Sequence, residues 1–264
     1  MSFKKPLEQT LNQLSLCSLK TLDPNDETWV AGGYLISALN SFSDGLTVIE
    51  NKKPIGTFGG QKFYQKLLLN PTHSFFKEQK VKDIMNPNPK MFQTENTLSE
   101  ILNHWADTKF AFSIINDNEK YFPISIRNIM PIIIKSNSSQ KISQIPKKEI
   151  ISFDSNDTIR DVVHRMFKYG VRRLQKKGTD EFISDRSILE NICMDMNYLK
   201  YSENFLDLNA NVLSTEKAER VTEDLTFPRL SEKLSEKFYP FVLYQDQIIT
   251  PWDVLMASKE IWKN

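Results

Sequence analysis

The chain has 264 residues, 40% of them apolar and 25% charged, with 34 Lys and Arg against 33 Asp and Glu. This is the balance of a folded globular protein, and a formal charge of +1 supplies no global field to hold DNA or another polyanion. The longest apolar run, residues 129–134, falls far short of the ~20 residues of a membrane-crossing helix, and the first six residues turn polar at once.

A cytoplasmic protein of two domains is expected, since each half is large enough to close a core. Cys17 and Cys193 fall in different halves, which argues for buried thiols rather than a disulfide framework.

Taken in chain order, the first element is a helix near Thr28, whose Gly32 and Gly33 lower helix propensity but permit close packing against a neighbour. Strands over 46–50 and 54–58 form a hairpin that runs into a helix over 63–69. Leu98, Ile101, Leu102, Trp105 and Ala106 then follow Thr97 at helical spacing. A hairpin over 112–115 and 121–125 leads to a helix over 129–134, and residues 135–141 are a polar linker.

Ile159, Val162, Val163, Met166 and Phe167 repeat the same apolar template behind Thr158. Thr97 and Thr158 are natural N-caps, with acidic residues in the turn that follows. A hairpin over 171–174 and 181–184 precedes a helix over 188–194, and an irregular stretch spans 197–215. A weaker helix follows Thr226 with Pro228 in its first turn, then strands over 241–244 and 247–250 and a last helix over 254–262.

Behind these hairpins stand four short polar elements: Gly59-Gly60-Gln61-Lys62, Ser125-Ile126-Arg127-Asn128, Ser184-Asp185-Arg186-Ser187 and Thr250-Pro251-Trp252-Asp253. The first and third lie 125 positions apart, as do the second and fourth. Periodicity of this kind defines the folding unit. The fold class is therefore α+β, with four β-α-β-β-α repeats in two paired modules: 1–139 (repeats about 10–78 and 79–139) and 140–264 (repeats about 140–199 and 200–264).

These features resemble the cystathionine-β-synthase (CBS) domain family, whose β-α-β-β-α modules pair through their sheets. The matching residues are Val81-Lys82-Asp83-Ile84-Met85, like the family's opening strand, Thr158 to Leu174 with Val171-Arg172-Arg173-Leu174, and Thr250-Pro251-Trp252-Asp253, like its Ser/Thr-x-x-Asp element. The resemblance implies a cleft between repeats that binds an adenosyl ligand, AMP, ADP, ATP or S-adenosylmethionine. Chemistry agrees, since a carboxylate accepts ribose hydroxyls and a Ser or Thr hydroxyl bonds a ribose or phosphate oxygen.

On that reading Thr250 and Asp253 form the ribose site, and Ser125 with Asn128 form a weaker, uncharged one. Ser184 and Ser187 lack the acid, but Arg172 and Arg173 stand where the family places basic residues against phosphates. Strand alternation would send only one of those arginines into the cleft. Gly59 and Lys62 keep neither hydroxyl nor carboxylate, so this element is expected to be a tight turn rather than a phosphate nest. Each Ser or Thr element also reads as a plain helix cap, and the arginines as a solvated basic edge.

His73, His104 and His164 are scattered, with no metal-ligand spacing, and no nucleophile elbow, phosphate loop or zinc-protease motif is present. The expectation is a regulatory protein, not an enzyme and needing no catalytic cofactor, that relays ligand binding to an unidentified protein partner by module rearrangement. It would work as a monomeric disc or a homodimer, away from membranes. The alternatives are a CBS interaction scaffold without nucleotide and nucleic-acid binding through Arg160, Arg165, Lys168, Arg172 and Arg173, the latter disfavoured by the neutral overall charge.

Overall fold

A computed structural model describes residues 3–14, 16, 19–40, 44–194 and 204–258. Cys17, part of the irregular stretch and the end of the last predicted helix lie outside them.

The first repeat runs β1 (Thr21–Leu22), α1 (Thr28–Asn40), β2 (Leu46–Glu50), β3 (Lys53–Phe58) and α2 (Gly60–Leu69). Two short helices, α3 (His73–Lys77) and α4 (Val81–Ile84), and strand β4 (Asn86–Pro87) lead to the second: β5 (Met91–Gln93), α5 (Leu98–Thr108), β6 (Phe112–Asp117), β7 (Lys120–Ser125) and α6 (Ile126–Ile134). The third comprises β8 (Ser152–Phe153), α7 (Ile159–Tyr169), β9 (Arg173–Lys176), β10 (Glu181–Ser184) and α8 (Asp185–Met194). Strand β11 (Glu216–Lys217) then precedes the fourth: β12 (Glu219–Val221), α9 (Phe227–Ser235), β13 (Val242–Tyr244), β14 (Gln247–Ile249) and α10 (Pro251–Ala257).

Each repeat builds one small sheet in which the leading strand lies parallel to the first hairpin strand and the hairpin is antiparallel. Strand β4 from the lead of repeat two completes the sheet of repeat one, and β11 from the lead of repeat four completes that of repeat three. Single bridges tie the first helix of every repeat to the lead of its partner: Glu27 to Lys80, Thr97 to Pro6, Thr158 to Asn209 and Thr226 to Lys141. The α+β fold is thus four repeats in two paired modules.

Local chemistry sets the helix starts. Thr97 Oγ1 accepts the Glu100 N–H at 3.3 Å while the Glu100 carboxylate accepts the Thr97 N–H at 2.6 Å. Thr158 and Asp161 repeat this at 3.2 and 2.9 Å, so both caps satisfy orphan amides of the first turn. These exchanges hold both carboxyls below their ordinary range.

The expected strand over 81–85 is instead the helical turn α4. Val81 and Ile84, three apart, are both buried, Asp26 and Pro24 carbonyls accept the Val81 and Lys82 N–H groups, and Asp83 caps Lys80. Extended pairing begins only at Asn86.

Two large buried clusters cross the halves of the chain. One joins repeats one and three, including Phe58, Phe63, Phe75 and Phe76 with Phe153, Ile159 and Leu189; the other joins repeats two and four, including Trp105, Ile129 and Ile133 with Phe227, Leu230 and Val254. The crossing of α1 and α8 needs Gly32, because a Cβ there would meet Cys193 Sγ at 2.5 Å. Burial pushes the Cys193 thiol up to about 12.

Candidate ligand-binding site

All four polar elements open a helix. In repeat four, the Asp253 carboxylate accepts the Thr250 N–H at 2.9 Å and its Oγ–H at 2.6 Å. In repeat two, Asn128 Oδ1 accepts the Ser125 N–H at 2.6 Å and the hydroxyl at 2.9 Å. In repeat three, Ser187 Oγ accepts the Ser184 N–H at 2.9 Å and Ser184 Oγ accepts the Ser187 N–H at 3.0 Å. The hydroxyl-x-x-acceptor spacing is therefore a cap in every copy, and it puts Ser125, Asn128, Ser184, Ser187 and Asp253 in buried positions where each polar atom needs a partner.

Partners come from the paired repeat. Lys148, in the lead of repeat three, donates to Asp253 Oδ1 at 2.5 Å. Glu216, on β11, accepts the Ser184 hydroxyl, and Asp44, between α1 and β2, is hydrogen-bonded to Ser125. Burial pushes both of these carboxyls up, against the pull of Arg173 on Glu216 and of Arg172 and Arg127 on Asp44.

The expected tight turn at Gly59 is not formed. Gly59 is an extended N-cap residue with φ of −145°. Glycine is required there for room, because the ring of Phe110 from repeat two would stand 2.7 Å from a Cβ. The position corresponding to Ser125, Ser184 and Thr250 is packed by an aromatic edge.

Arg172 and Arg173 diverge, as strand alternation requires. Arg172 turns outward and pairs with Asp185 at 2.7 Å, whereas Arg173 turns inward, its guanidinium 4.7 Å from the Phe241 ring centroid and 4.0 Å from Glu216. Sequence reasoning named neither Arg127 nor Arg186 as site residues, although both hold the third position of their polar elements. Their guanidinium groups reach the same carbonyl, Phe238 O, at 3.0 and 3.3 Å. Arg186 also lies 3.9 Å from the Phe238 ring centroid and pairs with Glu190 at 2.9 Å. The repeat register itself marked these two arginines as equivalent.

Beside Lys148 lies an open cleft of about 500 Å³, lined by Lys147, Lys148 and Ile150 on one wall and by Gln175, Arg220 and Leu243 elsewhere. It separates the lead of repeat three from the hairpin of repeat four, so Lys148 stands at once on its wall and on the Asp253 carboxylate.

No protein-family model matches the sequence, and no curated protein matches it either. Among solved structures, the chain is similar to protein MJ1225 from Methanocaldococcus jannaschii, a proposed archaeal homolog of g-AMPK, at 15% identity, over 93% of this chain and 98% of that one, with a TM-score of 0.74. The fold is that of a protein of four CBS repeats. A conserved protein from Pyrococcus horikoshii is similar over 93% of this chain and 97% of its own at 8% identity and a TM-score of 0.55.

Within the CBS arrangement, the residues expected to form a nucleic-acid edge are engaged inside the chain. Arg160 pairs with Asp207, Arg165 with Asp157, Arg172 with Asp185 and Arg173 with Glu216, while Lys168 Nζ lies 5.2 Å from the Tyr169 ring centroid. Among the described residues, no helix is long and apolar enough to cross a membrane.

Proposed function

We propose that this is a regulatory ligand-binding protein that takes an adenosyl ligand, of the class of AMP, ADP, ATP or S-adenosylmethionine, between CBS repeats three and four. The observation that carries the reading is Asp253: a carboxylate 7% exposed, fixed by Thr250 and facing a residue on the wall of an open cleft. A ribose diol bonds such a carboxylate with two charge-assisted hydrogen bonds. Thr250 supplies a hydroxyl beside it, and the cleft is large enough for a small ligand.

Ligand binding regulates by shifting the position of modules 1–139 and 140–264 and so the activity of a protein partner, an effect limited to the ligand's differential affinity for the two arrangements. Ser125 with Asn128, and Ser184 with Ser187, are secondary sites in the same scheme, with Arg173 the arginine directed inward. The protein acts as a monomeric disc or homodimer in the cytoplasm, without catalysis.

The closed state of the other elements favours a second reading, an interaction scaffold. Phe110 packs on Gly59, Asp44 bonds Ser125 and Glu216 bonds Ser184. Isothermal titration of ligand-free protein with AMP, ADP, ATP and S-adenosylmethionine separates the two. Saturable heat with any of the four supports the adenosyl sensor, and no heat with all four leaves the scaffold.

A further inference from the structure

The two oxygens of Asp253 have different tasks. One accepts both the N–H and the hydroxyl of Thr250 and cannot turn away without uncapping α10; the other accepts Lys148. The cleft's lining includes Lys148 but not Asp253, so a ribose coming from the cleft gains the second oxygen only by taking the place of the ammonium that already holds it. Binding of a diol at Asp253 and the Lys148–Asp253 pair therefore compete for the same lone pairs.

Lys148 is well placed to yield. Its side chain is 56% exposed, against 6% for that of Asp253, and a flexible four-carbon stem lets the ammonium swing along the wall it already lines. The other cations of that wall have partners of their own, Lys147 near Asp246 and Arg220 on Asp180, so Lys148 is the one whose partner the ligand would take.

Once displaced, the ammonium needs a new anion; of the carboxylates on the wall Asp246 already faces Lys147 and Glu149 is the neighbour, and a ligand that carries a phosphate beside its ribose supplies a stronger one. A neutral nucleoside displaces Lys148 and gives nothing back, and the positive sulfonium of S-adenosylmethionine opposes it.

From this geometry, and resting on the adenosyl reading above, we infer that Lys148 is both a built-in competitor for Asp253 and the residue that selects nucleoside phosphates over uncharged or sulfonium nucleosides.

The test is titration of the wild type, Lys148→Met, Lys148→Gln and Lys148→Arg with AMP and with adenosine. The wild type should bind AMP at least about ten-fold tighter than adenosine, the worth of one charge-assisted hydrogen bond. Lys148→Met and Lys148→Gln should bind adenosine more tightly than the wild type and lose most of the preference for AMP, while Lys148→Arg keeps it. Because the Asp253 side chain is only 6% exposed, losing its cation should lower the melting temperature of the Met variant; Gln leaves an amide N–H for the carboxylate, should melt closer to the wild type, and covers the case in which Met disturbs the fold.

An AMP-to-adenosine ratio unchanged by Met and Gln overturns the role of Lys148 and leaves the adenosyl site standing. Loss of both ligands in the Met and Gln variants alone also overturns it, since it would make Lys148 a plain binding residue. Absence of binding in all four proteins overturns the adenosyl reading itself, and the selection by Lys148 with it.

Discussion

Replacing Asp253 by Asn and by Ala separates its capping role from the ligand role proposed for it. Asn keeps an acceptor for the Thr250 N–H, as Asn128 already does for Ser125 in repeat two. It gives up the charge and the acceptor that hold Lys148, turning an amide NH2 toward it, but because that lysine is half exposed and can swing away the loss is below about 1 kcal/mol. Ala removes the acceptor altogether and leaves the Thr250 N–H and hydroxyl without this partner, a further cost of about 1–3 kcal/mol. The two variants should therefore differ by about 1–3 kcal/mol in urea unfolding, or several degrees in melting temperature for a chain of this length. Both should lose AMP affinity by at least about ten-fold, because the ribose reads the charge that both variants lack. Equal destabilisation by Asn and Ala would refute the capping argument. AMP binding by Asp253→Asn as tight as wild type would refute the ribose assignment.

Other consequences concern the fold. Gly32→Ala gains helix propensity of about 1 kcal/mol but presses a methyl onto Cys193, so alone it should destabilise or change nothing, while in a Cys193→Ala background it should stabilise; a cycle additive to within about 0.5 kcal/mol would show that α1 and α8 do not pack as described. The depressed carboxyls of Glu100 and Asp161 stabilise the protein above their unfolded values, near 4.5 and 3.8, and this is lost as pH falls through their lower folded values. The urea midpoints of the wild type and of Glu100→Gln/Asp161→Asn should accordingly converge as pH is lowered from neutral through that range, and a gap that persists would count against the caps.

Much of the fold was legible because its signals are local. A Thr before an apolar stripe with an acid three positions on, as at Thr97 and Thr158, states the helix start and the buried face in one short window. The hairpins were short apolar runs joined by polar turns, and the spacing of the polar elements set the number of repeats. What was not legible depends on contacts across the chain. Val81 to Met85 is apolar enough for a strand, and only the carbonyls of Pro24 and Asp26 decide that it becomes a helical turn. The two glycines near Thr28 announced a close approach, but nothing nearby says that the neighbour is Cys193 from the other half. Likewise the pairing of cores, one with three and two with four, is carried by side chains far apart in sequence.

The same division runs through the site, where the facing residue compensates for what each polar element has lost. Where the element keeps its carboxylate, Asp253, the residue opposite is the cation Lys148, 105 positions away. Where the fourth position has become Ser187, an acid stands opposite instead, Glu216. Asn128 likewise faces Asp44 through Ser125, and where Gly59 has lost every polar group the opposing residue is the ring of Phe110. Buried polar atoms left unmatched would cost about 1–3 kcal/mol each, which is reason enough for the two walls to match in charge and polarity. A motif read on one wall therefore names a helix cap. Whether that cap also binds a ligand depends on the opposite wall, and only at Asp253 is the opposing side chain half exposed, flexible and free to move aside into an open cleft.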